Sequence, residues 1–420
     1  MAETETEAAP EPRRNNPVKT VFETVLNGGS GVLTLLAIVA ALIVGAILII
    51  LSNQDVLDSF GYFFAAPGDS FHAMWTAVSE AYSALFRGSI VDPGTIGDYA
   101  NGQASLSDVF YPICQTVTQA TPLILAGLSV TVAFRAGLFN IGAQGQIVVG
   151  AILSAYLGFA IDLPVVLHVL VALAGGFAAG ALWGFIVGWL KAATGTHEVI
   201  TTIMMNYISS ALLLYMLERS AFRRPGRTDL VSPIVHHNGR LPYLAGSYLQ
   251  MNAGIIVALA AAVGCAWLLR RSTIGFEFKT VGSNADAART AGMSPKRVYI
   301  LAMLIAGGLA GLASTSQVLG TDGYLSQGVD SNLGFNAITV ALLGRASPGG
   351  TVLAGFLFGA LQAGGVIMQA DASTSPDVIT VIQSLIVLFI AAPPLVRAMF
   401  RLRGARRGTA DQTLSKGWNG

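Results

Sequence analysis

Apolar runs of bilayer-crossing length alternate with short polar links along most of the chain. Residues 31–51, 111–134, 147–161, 165–190, 199–217, 253–269, 298–319, 334–343, 350–369 and 378–396 are apolar almost throughout. About 20 apolar residues cross the hydrocarbon core of a bilayer. The pattern therefore predicts an all-α polytopic membrane protein with about ten transmembrane helices. Divided after the fifth run, the chain gives two five-helix halves, and an odd number of spans per half makes them inverted. The third run of each half, 147–161 and 334–343, is short and interrupted by glycine. Short, broken spans at matching places in inverted halves point to a translocation path near the bilayer midplane.

The polar links refine this picture. Residues 52–108 hold seven acidic side chains, from Asp55 to Asp108, against Arg87 alone, which predicts an extracytoplasmic loop. Within it Phe71, Trp75, Val78, Tyr82 and Leu85 recur at helical spacing, predicting a helix in the outer membrane surface. The link 272–297 carries Lys279, Arg289, Lys296 and Arg297, with Arg270 and Arg271 just upstream. Basic residues beside spans favour the cytoplasm. From Asn284 to Ala291 this link reads as a short helix. Ser283 or Asn284 caps it, Asp286 lies in its first turn and Gly292 ends it. Alternation places 218–252 outside, although Arg219, Arg223, Arg224, Arg227 and Arg240 run against the inside-positive bias. Residues 1–30 lack apolar periodicity and read as a disordered cytoplasmic tail ahead of the 31–51 anchor. The helical core then covers 109–397, and 398–420 reads as a basic cytoplasmic tail.

Composition agrees with membrane residence. Hydrophobic residues make up 53% of 420 and charged residues only 11%, against about 25% charged in soluble domains. A net charge of +1 suggests no nucleic-acid partner. Cys114, Cys265 and the five His form no metal or redox spacing, so no metal site is expected. There is no G-x-x-x-x-G-K-[ST] stretch. The chain is thus expected to be non-catalytic, with no cofactor of its own.

Gly176, Gly180, Gly184 and Gly188 make a ridge on 165–190, which lets a neighbouring helix approach closely. Apart from such small residues, the polar content of the spans is amide and hydroxyl. Asn140, Gln144, Gln146, Asn206 and Asn336, with Glu198 at a span end, are the candidate substrate path. Uncharged donors and acceptors suit a neutral, hydroxyl-rich solute, while each residue alone is equally what interhelical hydrogen bonding requires. No Asp, Glu or Lys stands mid-span, which counts against an ion-coupled secondary transporter, the alternative from a different class.

Four ordered motifs carry a family resemblance between about 111 and 396. Phe134 to Gln146, FRAGLFNIGAQGQ, is similar to the FRxGLFNIGAEGQ segment of permeases in nucleoside-type ATP-binding-cassette importers. Gly195 to Tyr207, GTHEVITTIMMNY, resembles their GTNEVIxTIMLNYI. Gly275 to Gly282 with the helix after it resembles the coupling loop, and Ala341 to Gly350 matches a further segment. Gln144 and His197 depart from the usual Glu and Asn. Ribose permeases carry an IDLSVG-like segment where this chain has FNIGAQG, so the resemblance favours nucleosides, purine nucleosides above all, over simple sugars. It implies a permease subunit in a bacterial plasma membrane, with ATP and Mg bound by separate ATPase subunits. It also implies a second, non-identical permease subunit and an extracytoplasmic substrate-binding lipoprotein. The coupling residues it implies are Gly282, Asn284, Asp286, Ala287, Ala288, Arg289 and Gly292.

Overall fold

The computed structural model describes residues 30–400 apart from 373, and among these the regular elements are helices. Almost all of both predicted tails lies outside the described residues. The helices are α1 (Ser30–Ser52), α2 (Gln54–Phe60), α3 (Pro67–Ser89), α4 (Pro93–Ala100), α5 (Leu106–Arg135), α6 (Ala143–Ala160), α7 (Val165–Thr194) and α8 (Glu198–Glu218). There follow α9 (Gly254–Arg271), α10 (Thr273–Ser283), α11 (Ala285–Thr290), α12 (Pro295–Thr315), α13 (Leu333–Leu343), α14 (Pro348–Ala372), α15 (Pro376–Ala391) and α16 (Pro393–Met399). A π-helical turn, Ser316–Asp322, extends α12. Among the described residues, eight helices are long and apolar enough to cross a membrane, and α13 and α15 are shorter apolar helices. The protein is an all-α polytopic membrane protein.

The packing has the symmetry expected of two repeats. Pairing the spans of the two halves in order matches α5 with α12, α6 with α13, α7 with α14 and α8 with α15. Under that exchange the α7–α12 contact becomes α5–α14, α6–α12 becomes α5–α13, and α6–α8 becomes α13–α15; all are observed. The halves are also inverted. The last turn of α7 carries Lys191, beside Tyr299 near the start of α12. Helix α14 instead starts at that end, where Arg135 Nε donates to Ala346 O at 2.6 Å.

The α7–α12 contact is made by glycine. A Cβ on Gly180 would lie 2.3 Å from the Gly307 carbonyl oxygen, on Gly184 2.2 Å from that of Met303, and on Gly311 2.0 Å from that of Gly176. Lipid is as apolar as leucine, so helices associate through close van der Waals contact, which small residues permit. The exchanged pair uses the same device more sparingly: Gly355 meets Ile124, and Gly359 meets Ala120 and the Thr116 carbonyl.

Some links differ from expectation. The aromatic stripe of 52–108 is split: Phe71 and Trp75 are exposed, while Val78, Tyr82 and Leu85 pack beside the buried Ala77, Ala81 and Ala84. Tyr82 donates to Leu42 O of α1, and Gly88 abuts Gly364 and Ile367 of α14. The helix is therefore walled by neighbours along its alanine face, which a search for large apolar residues overlooks. Residues 378–396 do not form one helix, because Pro393 and Pro394 begin a new one after Ala391. Gly275 to Gly282 is helical too, started by Ser272, whose Oγ accepts from Gly275 N at 2.9 Å. In 218–252 the arginines hold the loop itself. Arg224 Nε donates to Ser232 O at 2.9 Å, Arg227 pairs with Asp229 at 2.8 Å, and Arg219 stacks 4.2 Å from the Tyr215 ring. The loop seals the end of the bundle opposite α10 and α11, with Tyr248 donating to Asp108 and His236 bonded to Phe159 O.

The glycine contact is directly testable. Gly307→Val should cost more than the ~1–3 kcal/mol of ordinary overpacking, since only backbone faces the new side chain. Fluorescence-detected size exclusion should show a collapsed monodisperse peak, whereas Gly264→Ala, which meets nothing within 4 Å, should leave it intact.

Candidate functional site

The two short spans begin inside the bundle. After α5 ends, the chain turns at Gly137 (φ +74°) and runs back inward. Asn140 Nδ2 then donates to Ser129 Oγ at 3.3 Å. Ser129 lies six residues before the end of α5, about 9 Å of helix rise, so α6 starts well below that end. From the opposite end, Val235 N donates to Gly323 O and Ser232 N to Leu325 O, both at 2.9 Å, before the chain descends to α13. At 11 residues, α13 is about 16 Å long, half of a bilayer core.

The two helix starts meet at Gln144. Its Oε1 accepts from Gly334 N at 2.7 Å, and its Nε2 donates to Asp330 Oδ2. A Cβ on Gly334 would lie 2.3 Å from Gln144 N, so glycine is required for the approach. Helix N-termini carry partial positive charge, and the Asp330 carboxylate at this junction has the complementary sign. Both ends of α13 are conformationally strained. Ser331 and Asn332 at its start, and Arg345 and Ala346 after its end, all have positive φ, which non-glycine residues adopt at a cost of roughly 1–2 kcal/mol each.

Five of the six predicted path residues converge on the turn between α5 and α6. Asn140 Nδ2 donates to Gln146 Oε1 at 3.0 Å and Gln146 Nε2 returns a bond to Asn140 Oδ1 at 3.3 Å, both side chains being fully enclosed. Asn206 of α8 accepts from Gly145 N at 2.9 Å and donates to Ile141 O at 3.1 Å. Glu198, at the α10–α11 end of α8, pairs with Lys191 and lies beside the Phe139 backbone. Asn336 stands on α13, half-buried, and its side chain makes no hydrogen bond among the described residues. The amides thus brace the turn as much as they could face a solute. Asp330 was not signalled by the sequence: it stands in a link rather than a run, and Gln144 alone hinted at a polar centre. Glu198, Thr202 and Asn206, four residues apart on one face of α8, were a visible signal that α8 grips something polar.

The 272–297 link folds into the short helices α10 and α11. Asn284 Oδ1 accepts from Asp286 N and Ala287 N, both at 3.0 Å, and caps α11. Ala288 is buried, while Asp286, Ala287 and Arg289 are exposed. Gly292 closes the helix at φ +83°. Gly282, at the end of α10, lies against the α5–α6 turn: its Cβ would be 2.5 Å from Arg135 O and 2.8 Å from Gly137 N. Among the described residues no three His, Cys, Asp or Glu side chains group to hold a metal ion.

Two inverted, interlocked repeats with paired, buried helix starts have the architecture of a membrane transporter of the inverted-repeat kind. The chain belongs to the family described as branched-chain amino acid transport system permease component, whose pattern matches residues 113–391. It is 38% identical over 326 residues to the guanosine ABC transporter permease protein NupP of Bacillus subtilis, covering 76% of this chain and 88% of that one. To the nucleoside ABC transporter permease protein NupB of Lactococcus lactis it is 36% identical, over 73% of this chain and 85% of the relative. To the glucose ABC transporter permease protein TsgB13 of Haloferax volcanii it is 30% identical over 90% of both. No solved structure gives a significant match.

The junction predicts a paired mutational effect. Gln144→Glu sets a second carboxylate against Asp330 and should lower stability by about 1–3 kcal/mol, the scale of a lost buried partner. Asp330→Asn in the same chain should restore the hydrogen bond and most of the melting temperature, as read by nano-scale fluorimetry in detergent.

Proposed function

We propose that this chain is the permease subunit of an ATP-driven importer of nucleosides, purine nucleosides included, in a bacterial plasma membrane with both tails cytoplasmic. The observation that carries this is its similarity, over about three quarters of its length, to permeases of guanosine and nucleoside transport. The subunit itself is non-catalytic. Two separate ATPase subunits bind ATP and Mg, a second and non-identical permease completes the pore, and an extracytoplasmic lipoprotein delivers the solute.

In this reading α11 is the surface on which the ATPase pushes, through Asp286, Ala287 and Arg289. Ala288 anchors it, and Asn284 and Gly292 set its ends. The backbone contact of Gly282 with Gly137 hands the displacement to the α5–α6 turn. That turn leads directly to Asn140, Gln144 and Gln146, with Glu198 and Asn206 gripping it from α8, while Asn336 stands on α13. Two states that differ in these contacts would open the path alternately to each side, and ATP binding need only bias one of them. The similarity to a glucose permease over 90% of the chain supports a second reading, a simple-sugar importer with the same mechanism.

Uptake by the complete transporter tests the proposal. Gly292→Val introduces left-handed strain where nothing lies within 4 Å. The variant should therefore insert normally yet lose guanosine uptake by about tenfold or more, the scale of a 1–3 kcal/mol coupling. Affinity purification of tagged protein from its native membrane should retain a stoichiometric subunit with a phosphate-binding loop. Recovery of the chain alone from active membranes would reinstate an ion-coupled carrier.

A further inference from the structure

The amides at the centre of the bundle divide into enclosed and open ones. Asn140 and Gln146 are fully enclosed and bonded to each other, so a passing solute cannot touch them. On α13 the situation is reversed. Leu333, Ala337, Val340 and Ala341 are buried against the bundle, while Phe335 is exposed and Asn336 and Thr339 are half-buried. At 3.6 residues per turn, Phe335, Asn336 and Thr339 share one face, and the exposed Asn332 stands at the start of the helix. The side chains of Asn332, Asn336 and Thr339 make no hydrogen bond among the described residues. The polar atoms of Asn336 and Thr339 are nonetheless not buried, so they stay open to a partner.

Depth decides what lies outside this face. Helix α13 ends at Leu343, and the Ala346 carbonyl just beyond it is bonded to Arg135 at the end of α5. From Leu343 the rise is about 10 Å back to Asn336 and about 16 Å back to Asn332, the middle of a ~30 Å hydrocarbon core. Before α13 the chain is a turn rather than a helix, with Ser331 and Asn332 exposed. Irregular backbone at membrane depth is tolerated only where it is buried in protein or lines water, and unpartnered polar groups are costly against lipid. The chain itself does not bury this turn or this stripe, so the face does not meet hydrocarbon. The outer face of α1 is the contrasting case: Leu35, Val39, Ile43, Ile47 and Leu51 are exposed and wholly apolar, as lipid requires.

We infer that the face of α13 bearing Asn332, Phe335, Asn336 and Thr339 is a wall of the aqueous path and that these four side chains contact the nucleoside carried along it. The inference rests on the nucleoside-import reading and deepens it: the enclosed amides brace the α5–α6 turn, and contact with the solute falls to α13. The Phe335 ring offers a flat surface on which any base stacks. Each asparagine amide presents both a donor and an acceptor, matching the mixed edge of a base. The Thr339 hydroxyl donates and accepts, as ribose hydroxyls do. From Asn332 to Thr339 the stripe rises about 10 Å, the length of one nucleoside.

The test uses the complete transporter in membrane vesicles. Asn336→Cys and Thr339→Cys are treated on both faces with a membrane-impermeant methanethiosulfonate, which needs a thiolate and therefore water. Cys114 and Cys265 are buried, so the unaltered chain gives a low background, and Ile43→Cys on α1 is the lipid-facing control. Both α13 variants should label faster than the control, and saturating guanosine should slow both. Phe335→Leu should raise the KM for guanosine about tenfold, equivalent to roughly 1.4 kcal/mol, at unchanged surface abundance, and Phe335→Tyr, which keeps the ring, should restore it. Labelling no faster than the control would mean that lipid or a neighbouring protein covers the face. Labelling that guanosine does not slow, together with a wild-type KM in Phe335→Leu, would mean that water reaches the face and the solute does not. Either result overturns the inference and leaves nucleoside import standing. Failure of the unaltered transporter to take up any nucleoside would instead overturn the import reading, and with it the solute assigned to this wall.

Discussion

The contact on which the architecture depends is backbone against backbone, where α7 and α12 cross along Gly176, Gly180, Gly184, Gly307 and Gly311. In water, a helix pair can rely on removing apolar surface from solvent. In lipid that gain is nearly absent, and close approach has to supply the attraction. A side chain at any of these positions would push a carbonyl away. Because α7–α12 and α5–α14 are exchanged partners, the two crossings set the spacing of both repeats, and with it the space in which α6 and α13 can end.

Into that space the chain brings two helix starts from opposite ends and joins them with one neutral side chain. An amide suits the task. It donates to the carboxylate of Asp330 and accepts from the amide of Gly334 at once, where a charged group would satisfy one and repel the other. Asn140, Gln146 and Asn206 extend the same economy around the α5–α6 turn. A low-dielectric interior makes any half-satisfied member of such a network costly, so these residues brace the turn whatever solute passes.

Most of the fold is legible in the sequence because membrane insertion and apolar run length are governed by the same physics. Nearly every span is announced within a few residues, and the Gly176–Gly188 ridge and the Asn284 cap are visible as spacing and residue type. Depth is not legible. The pattern around FNIGAQG says that a span begins nearby, but its start below the bundle end follows from the bond to Ser129, eleven residues away in sequence. The alanine face of α3 carries no large apolar residue to mark it, and the arginines of 218–252 obey local loop chemistry rather than membrane sidedness. In the candidate site, the amides were identifiable by type, whereas Asp330, their charged partner, is separated from Gln144 by 186 residues.

The half-length of α13 also bears on how the protein is made. Eleven residues are too few for a lone span, and the second amide of this helix, that of Gly334, finds its acceptor 190 residues upstream. Without Gln144, that donor would face hydrocarbon at a cost of several kcal/mol. Synthesis from the N-terminus places the acceptor in the membrane before the donor has emerged. The order of biogenesis is thus written into the fold: the first repeat is the template on which the second completes itself, and the second repeat expressed alone lacks the group that seats its shortest span.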